Sequence, residues 1–148
     1  VNARASARLY SPELLGLATG LAAYPLTDDL PLRAETRSRS CGSVIALGLA
    51  LDDGGTSIDR VGMQVSACAI GQASAALLAG HARGAQPGQV IAVAEALAAW
   101  LAGKGDLPAD WPGLAALAPA LAHPGRHGAL LLPWTAAREA LSSGAGAR

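Results

Sequence analysis

Two cysteines are the residues of this chain best suited to metal or covalent chemistry. Cys68 lies in Val65-Ser66-Ala67-Cys68-Ala69-Ile70-Gly71-Gln72-Ala73, where a strand pattern runs directly into a helix pattern, so its thiol is expected at a helix start. Unpaired backbone N–H groups and the positive end of the helix dipole meet there, a setting that suits a sulfur acting as ligand or nucleophile. Cys41 lies in Ser40-Cys41-Gly42-Ser43, at a reversal between two strand patterns. Free cysteines are also common as small buried residues, so the pair gains meaning only if the fold brings the two sulfurs together.

The elements around them are expected to do so. Residues 32–40 alternate Arg33, Glu35, Arg37 and Arg39 with Ala34, Thr36 and Ser38, which suits a half-exposed edge strand. In 43–51, Ile45, Leu47, Leu49 and Leu51 share one face, expected to meet the core, and Val44, Ala46, Gly48 and Ala50 share the other. Asp52-Asp53-Gly54-Gly55 is a hairpin signal, and 57–66 places Val61, Met63 and Val65 on one face. In such an antiparallel meander the turn after the first strand lies at the same end of the sheet as the exit of the third. Cys41 occupies the first place and Cys68 the second. Arg39, and less so Arg37, would add positive charge beside Cys41, although a solvated strand face explains them equally well.

The remaining pattern is helical. Ser11-Pro12-Glu13 reads as a helix start, with Leu14, Leu17, Ala18 and Leu21 on one face and an end between Gly20 and Pro25. The prolines and paired acids of 24–31 read as a loop. Ile70, Ala73, Leu77 and His81 share a helix face; a break follows at 84–88, then a helix over 87–102 ended by Gly103. A short helix is expected over 114–121. A final one is expected over 135–143, after Leu130-Leu131-Leu132-Pro133-Trp134, with a frayed tail. The fold class is therefore α+β: a three-stranded antiparallel sheet with helices packed on one face and a helical C-terminal half, in one domain spanning 1–148.

Composition narrows the function. The 11 basic and 11 acidic residues cancel, which argues against nucleic acid or an acidic membrane surface as partner. No apolar run reaches the roughly 18 residues of a membrane span and no signal-peptide pattern opens the chain, so a cytoplasmic protein is expected. Two cysteines make no disulfide framework, though a single bridge remains open. A glycine-rich phosphate loop, Cys-x-x-Cys, His-Glu-x-x-His and Gly-x-Ser-x-Gly are all missing. The pairs Asp28-Asp29 and Asp52-Asp53 read as loop and turn acids, and Trp100, Trp111 and Trp134 as packing anchors. His81 stands 13 residues beyond Cys68, about 20 Å along a helix, too far for a co-ligand.

Several segments, in order along nearly the whole chain, resemble the U-type iron–sulfur cluster scaffold family (IscU, SufU and the amino-terminal domain of NifU). These are Leu9-Tyr10-Ser11, Cys41-Gly42-Ser43-Val44-Ile45-Ala46-Leu47, Ile58-Asp59-Arg60-Val61-Gly62-Met63, Ala67-Cys68-Ala69-Ile70-Gly71-Gln72-Ala73-Ser74-Ala75 and Arg126-His127-Gly128-Ala129-Leu130-Leu131-Leu132-Pro133-Trp134. The second half is most similar to the SufU branch. The resemblance implies three cysteines and an aspartate holding zinc, iron or a nascent iron–sulfur cluster. Cys41 and Cys68 match the first two cysteines; Ser43 stands where the aspartate is expected and Ala129 where the third cysteine is expected. Four protein ligands are normal for structural zinc and for clusters, so two thiolates fall short. His127 offers a third donor, and a homodimer sharing one cluster offers another remedy. The resemblance implies a scaffold or carrier more than an enzyme, binding metal or accepting sulfur through Cys41 and Cys68. A cysteine desulfurase and cluster acceptor proteins are its implied partners. The alternatives are a metal-free interaction module and a thiol sulfurtransferase with Cys68 as sulfur acceptor.

Overall fold

Ser11 Oγ accepts the amide hydrogen of Leu14 at 3.2 Å and so caps α1 (Pro12–Thr19), which carries Pro12 in its first turn. The computed structural model describes residues 9–39 and 42–146. After α1 the chain forms β1 (Leu32–Arg37), β2 (Val44–Leu51), β3 (Ile58–Ser66), α2 (Ala69–Ala82), α3 (Pro87–Leu101) and α4 (His127–Gly146), with a 3-10 stretch over Leu114–Ala122. The strands form one antiparallel sheet in the order β1-β2-β3. This is the α+β architecture expected. Ile45, Leu47 and Leu49 are buried, as their alternation requires, beneath α4, while α2 packs on β3. β1 is shorter than the alternation suggested, ending at Arg37 where the chain turns.

The opposite face of the sheet is not left bare. Gly48 and Gly62 are paired across β2 and β3, and without side chains they open a shallow slot that Leu26 and Leu30 of the 24–31 loop enter. The loop is anchored along the edge of β3, where the Met63 amide donates to Tyr24 O at 2.9 Å. Farther along that edge, Ile58 N donates to Ala85 O and Gly84 N to Ile58 O, each at 2.8 Å. The outer edge of β3 is thus covered at two places.

The largest departure from the sequence reading lies in α4. It begins at His127, not near Thr135, and runs through Pro133. Proline inside a helix removes one backbone hydrogen bond and crowds the carbonyl four residues earlier, a cost of about 3 kcal/mol. Tertiary contacts offset it: Trp134 is fully buried, its indole N–H donates to Ser74 Oγ at 3.0 Å, and that hydroxyl donates to Leu130 O at 2.6 Å. Trp111 stacks edge-on against Trp134 at 5.2 Å and donates to Leu77 O at 2.9 Å. Trp111 and Trp134, with buried Trp100, are the packing anchors expected. The short helix over 114–121 is a 3-10 segment containing Pro119.

At the β2–β3 hairpin, Asp52 accepts from Thr56 N at 2.9 Å and Ser57 N at 3.3 Å, which holds its carboxyl below its ordinary value of 3.8. A depressed carboxyl stabilises the fold fully above the unfolded value and loses that contribution as pH falls through the folded one. Urea unfolding of Asp52→Asn should therefore show a shallower loss of stability than the parent as pH falls below about 4. A parallel decline in both proteins would remove the hairpin carboxylate from the acid response.

Candidate functional site

The register fixes one rim of the sheet. Arg37 pairs with Val44 and Val44 with Ser66, so the β1–β2 reversal and the exit of β3 lie together, as the meander argument requires. At the reversal Ser38 N donates to Ser43 O at 2.8 Å and Gly42 N to Ser38 O at 3.0 Å. Gly42 has a φ of 72°, a conformation that favours glycine. Cys41 lies outside the described residues; its neighbours Arg39, Gly42 and Ser43 stand at this rim, with Arg39 exposed and Ser43 buried.

Two residues after β3, Cys68 is the N-cap of α2, with extended backbone (φ −65°, ψ 172°) and no capping bond from its side chain. The thiol is free and partly exposed. Gln72 braces the junction: its Nε2 donates to Ala67 O at 2.9 Å and its backbone N–H to Cys68 O at 3.0 Å. Sequence reading gave Gln72 no role, and no capping pattern marks it: it stands one residue past the N3 position of a capping box and donates to a carbonyl rather than accepting from an amide.

Ala129, in the first turn of α4, is buried against the first turn of α2. A Cβ built on Gly71 would stand 3.3 Å from Ala129 Cβ and 2.8 Å from Ala67 Cβ. Ser43, Cys68 and Ala129 thus stand at the β1–β2 reversal, the start of α2 and the start of α4.

His127 opens α4, and its Nε2 lies 3.0 Å from Ala120 O and 3.1 Å from Leu121 O. Both neighbours are carbonyl oxygens, which only accept, so Nε2 donates to them and they fix the orientation of the ring. Among the described residues, however, no group of three or more His, Cys, Asp or Glu side chains is placed to hold a metal ion. His81 packs edge-on to Trp111 at 6.4 Å. Position 43 carries a buried hydroxyl and position 129 a buried methyl group, neither of them a thiolate or a carboxylate.

Two solved structures match this architecture closely. A NifU-like protein (N-terminal) from Brucella abortus, described as nitrogen-fixing, superposes with a TM-score of 0.85 at 24% identity, over 93% of this chain and 95% of that one. A candidate iron–sulfur cluster assembly scaffold protein for the SUF system, from thermophilic Fervidobacterium islandicum AW-1, gives 0.80 at 21% identity, over 92% and 98%. The chain has the U-type scaffold fold. No family model and no curated protein matches the sequence, so at these identities it is the fold that is shared. The U-type fold accounts for the sheet order and for the packing of the helices on one face of the sheet. No described helix is long and apolar enough to cross a membrane.

Proposed function

We propose that this chain is a U-type scaffold protein working in iron–sulfur cluster assembly, with Cys68 accepting sulfur from a cysteine desulfurase and Cys41 as the second functional sulfur. The supporting observation is a partly exposed, free thiol at the N-cap of α2, on a fold shared with proteins described as NifU-like and SufU. The buried methyl of Ala129, where a third thiolate would complete a metal site, favours sulfur acceptance over metal loading by one chain. In the transfer, the Cys68 thiolate attacks the outer sulfur of the desulfurase persulfide. The S–S bond breaks, the desulfurase cysteine leaves as a thiolate, and Cys68 keeps one added sulfur with no net oxidation.

Anaerobic incubation with a cysteine desulfurase and free cysteine, followed by mass spectrometry of the intact protein and its peptides, tests this. The expected product is a Cys68 persulfide, lost completely in Cys68→Ala and reduced in Cys41→Ala. An unmodified Cys68 in the presence of a desulfurase that is turning over would overturn the sulfur-acceptor role.

A further inference from the structure

β1 is the sheet edge that no described residue covers, in contrast to the outer edge of β3, which Tyr24 and the Gly84-Ala85 pair occupy. Ser38 N donates to Ser43 O, and hydrogen-bonding direction alternates along an antiparallel strand. Thr36 and Ala34 therefore turn their amides to β2, while Arg33, Glu35 and Arg37 turn theirs outward. On the helix side the same edge opens into a cleft of about 410 Å³ lined by Thr36, Ser38, Gly128, Leu131, Thr135 and Glu139. Thr36 Oγ1 is the buried side-chain oxygen or nitrogen without a hydrogen-bond partner among the described residues.

We infer that β1 pairs antiparallel with β1 of a second copy of this chain, on a two-fold axis through Thr36, to form a continuous six-stranded sheet. In this register Glu35 lies opposite the partner's Arg37 and Arg37 opposite the partner's Glu35. Those are the hydrogen-bonded pairs that the outward amides require, and they place two opposite-charge pairs on the outer face. The registers shifted by two residues fare worse. Centring on Glu35 sets Glu35 against its twin and Arg33 against the partner's Arg37; centring on Arg37 sets the two Arg37 side chains against each other. On the helix side Thr36 meets its twin as a non-hydrogen-bonded pair, the closer type, with Cα atoms about 4.5 Å apart. Rotation about χ1 exchanges Oγ1 with Cγ2, so a hydroxyl orphaned in one copy gains a partner in two.

The second layer is compatible with this arrangement. α4 packs on both β1 and β2. With strands about 4.8 Å apart, the two α4 helices would run side by side at about 10 Å, the ordinary interaxial distance. Leu131 and Thr135 would then line their contact. The thiol rims remain separate: β3 is the third strand from the axis, about 12 Å away at this spacing, so the two β3 exits lie about 24 Å apart. Such an interface does not produce a cluster shared between two Cys68 thiols, and it leaves both open to a sulfur donor.

Sedimentation velocity over roughly 1–500 μM should show a reversible monomer–dimer equilibrium with a Kd in the micromolar range, as a small interface implies. Glu35→Arg and Arg37→Glu should each weaken association about tenfold or more by setting like charges opposite, and the double swap should restore it. Thr36→Val should weaken association while leaving the monomer at least as resistant to urea, a combination a purely structural hydroxyl would not give. A chain monomeric at all concentrations overturns the inference. So does a dimer unaffected by the single charge reversals, since its contact would lie elsewhere.

Discussion

Replacing Gly62 by valine is expected to lower the free energy of unfolding by about 3 kcal/mol, at the upper end for an overpacked core site. A Cβ at this position would lie 2.2 Å from Pro25 O, 2.8 Å from Leu30 Cδ1 and 3.0 Å from Leu26 Cα. Two of these atoms are backbone, so a side-chain rotation cannot relieve the clash. The loop itself would have to lift, and lifting it breaks the bond from Met63 N to Tyr24 O and exposes Leu30, which is only 2% accessible. Urea denaturation should show the loss as a lower midpoint, with hydrogen exchange accelerated first at Met63. Gly16→Ala in α1 is the matched control, because a Cβ there has nothing within 4 Å. Alanine at a helical glycine should be neutral or stabilising by up to about 1 kcal/mol. Equal costs for the two substitutions would show that the slot is not the support assigned to it here.

The strands were legible because a period of two is unambiguous when one face is buried: Ile45, Leu47 and Leu49 announce their face, and the order of turns then places Cys68 at the correct rim. The loop over the other face was not legible. Nothing in Leu26 or Leu30 indicates a partner, and the glycine pair that admits them becomes visible only when β2 and β3 are set in register. α4 was misjudged for a different reason. Pro133 is a local stop signal, and what overrides it is a serine nearly sixty residues earlier, a non-local contact that periodicity cannot report. The candidate site divides in the same way. A cysteine at a strand-to-helix junction is a local feature and was read correctly. The approach of Ala129 to Gly71 depends on how α4 packs on α2 and was not legible; the family resemblance marked position 129 without saying what it touches.

That approach carries the second large expected effect, a gain of function. Ala129→Cys combined with Ser43→Asp should convert a chain with two thiols into one with three thiolates and a carboxylate directed at the same rim. Four such donors satisfy a closed zinc site, whereas two leave half the coordination to water. Zinc affinity, measured anaerobically against a competing chelator, should rise by at least about a hundredfold, and cobalt substitution should show thiolate charge-transfer bands in a tetrahedral environment. A Cβ built on Gly71 would stand 3.3 Å from both Ala129 Cβ and Ala129 O, so its absence leaves space beside position 129 for the added sulfur. Some overpacking, about 1 kcal/mol, is expected in the metal-free state and should be reversed when zinc binds, so thermal unfolding with and without metal provides a readout independent of affinity. Adding Cys68→Ala to the same variant should abolish the gain. A folded variant that binds zinc no better than the parent would mean that a thiol at 129 does not reach Cys68. The three-sided rim, and with it the placement of Cys68 as the centre of the chain's chemistry, would then be wrong.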